Sequence, residues 1–165
     1  MRGSCACQSC TWSSTSAPQH LDFCYCTQCQ QITGSAFGAW MGFSRSTLNF
    51  SGPVTVVRLS ANAISTEHTS TTNSSLEIAT RAFCSQCGGT LSIQYECYPN
   101  KTHVAAGTIV TGGELVPSVD CHLFVVEKQP WCRIPEDGVR RWDYFDEEFL
   151  DVLEKWRAGK GSRDA

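Results

Sequence analysis

Cysteine spacing constrains this chain more strongly than any other feature of its sequence. Seven of its 11 cysteines fall into three short motifs: Cys5 and Cys7; Cys24, Cys26 and Cys29; and Cys84 and Cys87. Disulfide frameworks belong to oxidising compartments and usually use an even number of cysteines. The count here is odd, and the first residues contain no apolar signal segment. We therefore predict zinc ligands in a cytoplasmic protein rather than disulfides.

The spacing of these motifs indicates how the cysteines divide between two metal ions. A C-x-x-C pair on a tight turn directs both sulfurs to one ion. A C-x-C pair in an extended strand does the same, because alternate side chains share a face. One division gives a four-cysteine group and a three-cysteine group: Cys5, Cys7, Cys84 and Cys87, and Cys24, Cys26 and Cys29. The first is a closed structural zinc site, whereas the second leaves a position open for substrate, as a catalytic zinc requires.

A second division of the cysteines also fits the spacing rules, although the first division is favoured. The C-x-x-C pairs Cys7–Cys10 and Cys26–Cys29 stand fifteen residues apart, which is typical of a zinc ribbon. The other cysteines of the three motifs would then form a second closed site. That arrangement would make the protein a binding module without an open metal position.

The rest of the chain is predicted to be mostly β-structure. Short runs rich in β-branched and aromatic residues predict antiparallel strands at 36–43, 53–60, 76–83, 90–97, 102–109 and 122–127. Between residues 60 and 75, Ser, Thr and Asn dominate, which predicts a solvated loop with His68 at the surface. His20 and His103 stand in no recognisable motif. His122 lies in a predicted strand, either as a hydrogen-bonded core residue or as a proton shuttle.

One helix is predicted near the C-terminus. Asp146 suits its N-cap position, and an apolar stripe follows at Phe149, Leu150, Leu153 and Trp156. This spacing predicts a helix that packs against the sheet and is ended by Gly159. We expect one β domain over residues 1–145, with residues 146–165 forming a short C-terminal helix and a frayed tail packed on it.

Charge and hydropathy exclude two classes of partner. The net charge is −3 and the isoelectric point is about 5.8, unlike the basic surface of a nucleic-acid-binding protein. No apolar run approaches the roughly 20 residues that a membrane span needs. The expected partner is a small molecule.

The order of the cysteine motifs resembles that of a known family. "GSCAC", "CYCTQCQQITGSAF" and "RAFCSQCGGTL" resemble, in this order, the glutathione-dependent formaldehyde-activating enzymes, also called the centromere protein V family. Downstream, "VAAGTI", residues 117–124 and "KQPWCRIPEDGVRRW" are similar to the closing segment of that family. The resemblance covers residues 2–144 and is specific, because seven cysteines fall in three spaced motifs.

The resemblance implies a zinc-containing β-tent of antiparallel sheets. It also implies a structural zinc at the four-cysteine group and a looser, catalytic zinc at the three-cysteine group. The family activity joins glutathione and formaldehyde and is classed as a carbon–sulfur lyase. Cys10, Cys97, Cys121 and Cys132 match no ligand position of the family, and we interpret them as small buried side chains.

Two departures from the family pattern stand beside the motifs. Gln8 replaces a glycine that many members carry after the second cysteine, and Gln30 and Gln31 replace an Arg-Lys pair. The second departure removes two cations next to the three-cysteine group. It therefore weakens the case for an anionic substrate such as glutathione.

The residues after Cys29 are predicted to line the substrate pocket. Thr33 and Ser35 offer hydroxyls or merely cap a turn, Gly34 allows close backbone approach, and Phe37 supplies an apolar wall. His122 and Trp131 are further candidates for this pocket.

Three hypotheses for function follow from the motifs and the resemblance. The leading one is a zinc-dependent carbon–sulfur lyase acting on a small carbonyl compound or a thiol adduct. The second is a different reaction at the same zinc on a larger metabolite, such as dehydration, isomerisation or carbon–carbon cleavage. The third is a non-catalytic zinc scaffold that binds a protein partner.

Overall fold

The computed structural model describes residues 1–60 and 77–161. The predicted solvated loop lies outside these ranges from residue 61 onward, and so does His68. Within the described ranges, no helix is both long and apolar enough to span a membrane.

The described residues form 12 strands and two α-helices. The strands are β1 (Arg2–Ser4), β2 (Thr11–Ser14), β3 (His20–Cys24), β4 (Gly38–Ser44), β5 (Leu48–Ser51), β6 (Val54–Ser60), β7 (Glu77–Cys84), β8 (Thr90–Tyr95), β9 (Lys101–Ala105), β10 (Ile109–Thr111), β11 (Cys121–Leu123) and β12 (Arg140–Arg141). The α-helices are α1 (Thr27–Thr33) and α2 (Glu147–Gly161). Short 3₁₀ helices lie at Arg45–Thr47, Ala106–Thr108, Gly113–Leu115 and Val125–Glu127.

In the described part of the chain, the strands form two sheets. The smaller has the order β10-β1-β2-β5, and the larger has the order β12-β11-β3-β4-β9-β8-β7-β6. A mostly β fold of open sheets with a C-terminal helix is therefore confirmed. Two pairings differ from the antiparallel expectation, because β11 runs parallel to both β3 and β12.

Alternation along the strands gives the large sheet two different faces. Met41 and Phe43 of β4 are buried in one apolar cluster with Trp12 of the small sheet. Trp40, on the opposite face of β4, belongs to another apolar cluster that includes Phe149 of α2. The large sheet is thus a middle layer, with the small sheet on one face and α2 on the other.

Helix α2 begins as its sequence predicts. The Asp146 carboxylate accepts a hydrogen bond from the Phe149 backbone N–H at 2.9 Å, which caps the first turn. Phe149 and Leu153 are buried in the apolar cluster, and the Phe149 ring meets Tyr95 of β8 edge-on. The helix continues past Gly159 to Gly161, two residues beyond its predicted end.

Three predicted extended segments are partly helical. The strand predicted at 102–109 is interrupted after Ala105 by the 3₁₀ helix Ala106–Thr108. The strand predicted at 122–127 ends at Leu123, because Phe124 adopts a left-handed conformation with φ of 58° and a 3₁₀ turn follows. The strand and knuckle predicted for the three-cysteine group become a strand end followed by α1. Apolar runs as short as these do not show whether the chain has the period of a strand or of a helix.

Candidate metal centre

Two turns bring the four-cysteine group together. Cys5 and Cys7 lie in the turn after β1, Cys84 ends β7, and Cys87 lies in the turn before β8. The four sulfur atoms all lie within 4.8 Å of one another. Cys5 and Cys84 are buried, whereas Cys7 and Cys87 are exposed at the surface. The group therefore joins the N-terminal hairpin to the β7–β8 hairpin.

The Cys5–Cys7 pair lies in a turn and not in the extended strand that we predicted. The Gln8 backbone N–H donates to the Cys5 carbonyl at 3.0 Å, which closes the turn. Gln8 itself has a φ of 62°, in the left-handed region that favours glycine. The Cys10 backbone N–H donates to the Cys5 sulfur at 3.2 Å. The turn thus brings the two sulfurs together and gives the Cys5 sulfur a hydrogen-bond donor.

The environment of Cys7 favours its thiolate. Hydrogen bonds from the side chain and then the backbone of Ser9, with smaller contributions from Cys5 and Cys87, lower the pKa of Cys7 to about 6. Because metal ligation requires the thiolate, this turn prepares one ligand before an ion arrives.

The three-cysteine group lies where β3 meets α1. Cys24 is the last residue of β3, and Cys26 is the N-cap of α1. The Cys26 sulfur accepts a hydrogen bond from the Cys29 backbone N–H at 3.3 Å. The three sulfurs lie within 4.8 Å of one another. Among the described residues, no fourth Cys, His, Asp or Glu joins this group.

Arg81 of β7 is a buried cation beside the three-cysteine group, and the sequence motifs did not reveal it. Its side chain is 3% exposed. One guanidinium nitrogen, Nη2, lies 3.6 Å from the Cys29 sulfur and donates to the Gln28 amide oxygen at 3.2 Å. Nε and Nη1 have no hydrogen-bond partner within the described residues. Arg81 therefore supplies positive charge that we expected to be missing.

Gln30 and Gln31 do not take the place of the absent Arg-Lys pair at the metal. The buried Gln30 amide donates to two backbone carbonyls, those of Tyr25 and Glu127. Gln31 is exposed on the outside of α1. Gln30 therefore ties α1 to the residue Tyr25 before the helix and to Glu127 far along the chain, which is a structural role.

Contacts within the three-cysteine group place negative charge on one sulfur. Hydrogen bonds from Cys24 and then Cys26 hold the pKa of Cys29 well below its usual value, and the charge of Arg81 adds to this effect. Hydrogen bonds with Cys26 and then Cys29, together with burial, raise the pKa of Cys24 well above its usual value. One thiolate is therefore stabilised even without a metal.

A cavity of about 460 Å³ lies beside the three-cysteine group. Cys24 and Cys29 form part of its wall, and α2 contributes Glu147, Glu148 and Phe149. Half of the remaining wall residues are aromatic or apolar: Trp40, Ile93, Tyr95, Tyr98, Leu123, Trp142 and Phe145. Its volume lies within the range of about 300–1,000 Å³ typical of small-molecule sites.

The residues predicted to line the pocket after Cys29 lie elsewhere, and none of them lines this cavity. The Thr33 hydroxyl donates to the Cys29 carbonyl at 2.8 Å, one turn back along α1. Gly34 ends the helix in a left-handed conformation. The Ser35 hydroxyl donates to the Phe37 carbonyl at 2.6 Å. These contacts shape the end of α1.

Three further pocket candidates also lie away from the cavity. The Phe37 ring stacks on Phe23 with centroids 4.5 Å apart. His122 is fully buried, with ring nitrogens 3.2 Å from the Tyr25 hydroxyl and 3.1 Å from the Asp137 carboxylate. Trp131 is 71% exposed. His122 thus has the contacts of a hydrogen-bonded core residue.

The structure brings together two histidines that stand in no motif. His20 and Asp22 of β3 and His103 of β9 form a third cluster on the cavity wall. A weak sequence signal was present, because His20, Asp22 and Cys24 occupy alternate positions of one strand and therefore share a face. His103 joins these residues from β9, two strands away in the sheet. A pattern within one strand could therefore not predict its place in the cluster.

The described residues include all 11 cysteines, and every one is a free thiol. The zinc-ribbon division does not occur, because Cys7 and Cys26 fall in separate groups and Cys10 in neither. The Cys10 thiol is fully buried and donates to the Pro53 carbonyl at 3.2 Å. Of the other cysteines outside the two groups, Cys121 lies on the cavity wall and donates to Asp22 at 3.3 Å.

Both cysteine groups fit zinc by the chemistry of their donors. Four convergent thiols match a structural zinc, and three match a site with one further position. The backbone N–H donors to Cys5 and Cys26 are the outer contacts that orient metal-binding sulfurs. Arg81 offsets the negative charge that three thiolates bring to a divalent ion.

Comparison with known proteins identifies the family of the chain. No curated protein is similar enough to count as a match. A crystal structure of a Rhodobacter sphaeroides protein, a structural genomics target, is 14% identical, covers 86% of this chain and 99% of its own, and has a TM-score of 0.48. Residues 1–127 match the family described as glutathione-dependent formaldehyde-activating enzyme, which confirms the resemblance of the cysteine motifs, and the chain belongs to that family.

Proposed function

We propose that this protein is a zinc-dependent enzyme of the carbon–sulfur lyase type, acting on a small carbonyl compound or a thiol adduct. One observation carries the proposal: Cys24 and Cys29 lie on the wall of a cavity, and the described residues bring no fourth ligand to their group. Membership of the formaldehyde-activating family supports the same reaction class. The free thiols throughout the chain suit a reducing compartment such as the cytoplasm.

In this proposal Cys24, Cys26 and Cys29 hold the catalytic zinc. Zinc in such a site stabilises a thiolate or polarises a carbonyl in its open position. The buried guanidinium of Arg81 balances the charge of the three sulfurs. The aromatic walls exclude water and strengthen electrostatic interactions within the cavity. Thr33 and Ser35 act as positioning residues, because their hydroxyls fix the end of α1.

The charges around the cavity bear on the choice of substrate. Four carboxylates line it, those of Asp22, Asp146, Glu147 and Glu148. Lys101 and Arg140 are the basic side chains of the same lining. A substrate with several carboxylates, such as glutathione, meets an excess of negative charge there. Thiols that are neutral or cationic therefore suit this cavity better than glutathione does.

A different reaction at the same metal is the second candidate function. The aromatic lining and the volume of about 460 Å³ favour it, because formaldehyde alone would occupy little of this space. Dehydration, isomerisation or carbon–carbon cleavage of a larger carbonyl compound would use the same open position. A non-catalytic scaffold has no comparable use for a cavity that reaches two metal-binding sulfurs.

The proposal is tested with zinc-loaded protein. Formaldehyde and a panel of larger aldehydes are each combined with glutathione, a neutral thiol and a cationic thiol, and adduct formation is followed by NMR. We expect turnover in at least one combination, with the neutral or cationic thiol preferred over glutathione. Cys26→Ser should abolish turnover, and Cys97→Ser, which lies outside both groups, should retain it. Equal rates in wild-type and Cys26→Ser protein would rule out the three-cysteine group as the active site.

A further inference from the structure

The cluster of His20, Asp22 and His103 is held together by the register of three neighbouring strands. β4 lies between β3 and β9, and Gly42 of β4 is opposite both His20 and His103. A Cβ at residue 42 would lie only 2.1 Å from the His20 ring. The absence of a side chain there lets the two imidazoles meet above the sheet, with ring centroids 5.4 Å apart.

The donor atoms of this cluster converge. One ring nitrogen of each histidine and one oxygen of Asp22 all lie within 4.8 Å of one another. His20 Nε2 is 3.4 Å from an Asp22 carboxylate oxygen, and the other oxygen accepts from Cys121. His103 Nδ1 is buried and makes no hydrogen bond to any described residue. A buried polar atom without a partner is uncommon and calls for a ligand or an ion.

The surroundings of the cluster favour a cation over an anion. The cavity that it lines also carries the carboxylates of Asp146, Glu147 and Glu148, at the start of α2. A neutral imidazole nitrogen offers a metal ion a lone pair, and His103 Nδ1 has no other partner among the described residues. Two imidazoles and one carboxylate form a donor set typical of open zinc and iron sites.

We propose that His20, Asp22 and His103 bind a divalent transition-metal ion, on the same cavity that reaches the three-cysteine group. An ion held by nitrogen and oxygen donors is a stronger Lewis acid than one held by three thiolates. The cluster therefore provides a second position at which a carbonyl or a water molecule can be activated. This binding does not depend on the function proposed above, because it involves none of the cysteine ligands.

The proposal is tested by zinc content and zinc K-edge X-ray absorption of the full chain after loading with zinc. We expect His103→Gln and His20→Gln each to bind one zinc ion fewer than the wild-type protein. Both variants should also lose the imidazole scattering, whose first shell lies at about 2.0–2.1 Å compared with about 2.3 Å for sulfur. Lys101→Gln is the matched control, since Lys101 lines the same cavity without belonging to the cluster.

The outcomes separate this inference from the cysteine chemistry. Cys26→Ser should reduce the sulfur scattering to that of the four-cysteine group and leave the imidazole signal, whatever its effect on turnover. If wild-type protein shows no imidazole scattering, and both histidine variants bind as much zinc as it does, the proposal is overturned. The contact between His20 and Asp22 would then be an ion pair without a metal. His20 lies at the more accessible edge of the cluster, so His20→Gln decides the question even if His103→Gln does not fold.

Discussion

Arg81 brings to the three-cysteine group a positive charge that the cysteine motifs do not contain. Its guanidinium is buried against the Cys29 sulfur and lies over the Trp40 ring, 5.6 Å from the ring centroid. Burial alone would lower the pKa of Arg81, but Cys29, Tyr95 and Cys26 together outweigh this effect and the pKa is raised. A buried cation of this kind is stable only while its anionic partner remains.

We predict that Arg81→Gln weakens zinc binding at the three-cysteine group by roughly tenfold or more. An opposite charge at this distance shifts a pKa by about one unit or more, and each unit is about 1.4 kcal/mol. Competition with a chromophoric chelator measures the affinity. Arg81→Lys keeps the charge and should recover part of it. Unchanged affinity in Arg81→Gln would mean that the charge of Arg81 is irrelevant to the metal.

Gln8 shows strain at the other metal group. It is one of two described non-glycine residues with positive φ, the other being Phe124. The left-handed conformation costs an L-residue roughly 1–2 kcal/mol.

We predict that Gln8→Gly raises the free energy of unfolding by about 1 kcal/mol, because it removes this strain. The matched control is Gln31→Gly, an exposed residue within α1. Glycine in a helix interior should lower stability by about 0.5–1 kcal/mol. Denaturant unfolding of the zinc-loaded proteins measures both changes. A loss of stability in Gln8→Gly would show that the turn is not strained.

At the scale of secondary-structure elements, the two cysteine groups are built differently. The four-cysteine group joins two hairpin turns that are far apart in sequence, with Cys7 and Cys84 separated by 77 positions. The three-cysteine group is local and needs only the end of β3 and the start of α1. Loss of the first should therefore affect the whole fold, whereas loss of the second should affect only the site.

We predict opposite consequences for the same substitution in the two groups. Cys84→Ser should give insoluble or unfolded protein, because a structural zinc contributes about 10–16 kcal/mol and a whole domain has only about 5–15 kcal/mol of stability. Cys26→Ser should lose one zinc ion and keep the native circular dichroism spectrum. Soluble, fully metallated Cys84→Ser protein would contradict the structural role of the four-cysteine group.

The sequence predicted the elements whose signal is local. The N-cap at Asp146, the apolar stripe of α2 and the strand at 90–97 were all readable from period and residue type. Helix α1 was missed because seven residues are too few to show a helical period. The strands β1, β2, β3, β5, β10 and β12 were missed because each has five residues or fewer.

The candidate site was predictable only in part, for a similar reason. The cysteine groups were found because each motif keeps its ligands close in sequence. Arg81, His20 and His103 approach the site through strand pairing, which no local pattern records. The cavity wall from α2 lies beyond the residues that match the family, so family membership did not reveal it either.

At the scale of the whole molecule, two apolar clusters hold the layers together, and most of their side chains are not candidate metal ligands. One lies between the sheets around Trp12 and Phe43, and the other lies under α2 around Phe145 and Phe149. The Phe145 and Phe149 rings are stacked with centroids 4.0 Å apart. The fold should therefore tolerate partial loss of metal.

We predict that mild chelation removes zinc from the three-cysteine group first, because it has three thiolates rather than four. Elemental analysis should show partial loss of zinc while the circular dichroism spectrum and thermal transition persist. Added zinc should restore the original content. A single cooperative loss of all zinc together with unfolding would contradict the division into structural and catalytic ions.

The distance in sequence between Cys7 and Cys84 has a consequence for how the protein is made. While the chain leaves the ribosome, Cys7, Cys10, Cys26 and Cys29 emerge long before Cys84. These four have zinc-ribbon spacing, so the nascent chain offers a complete but non-native ligand set. We expect refolding with zinc present from the start to give less native protein than refolding followed by zinc. Equal yields would show that the early set does not trap the chain. On this expectation, native zinc binding requires that Cys84 and Cys87 displace ligands from an ion that the earlier cysteines have already bound.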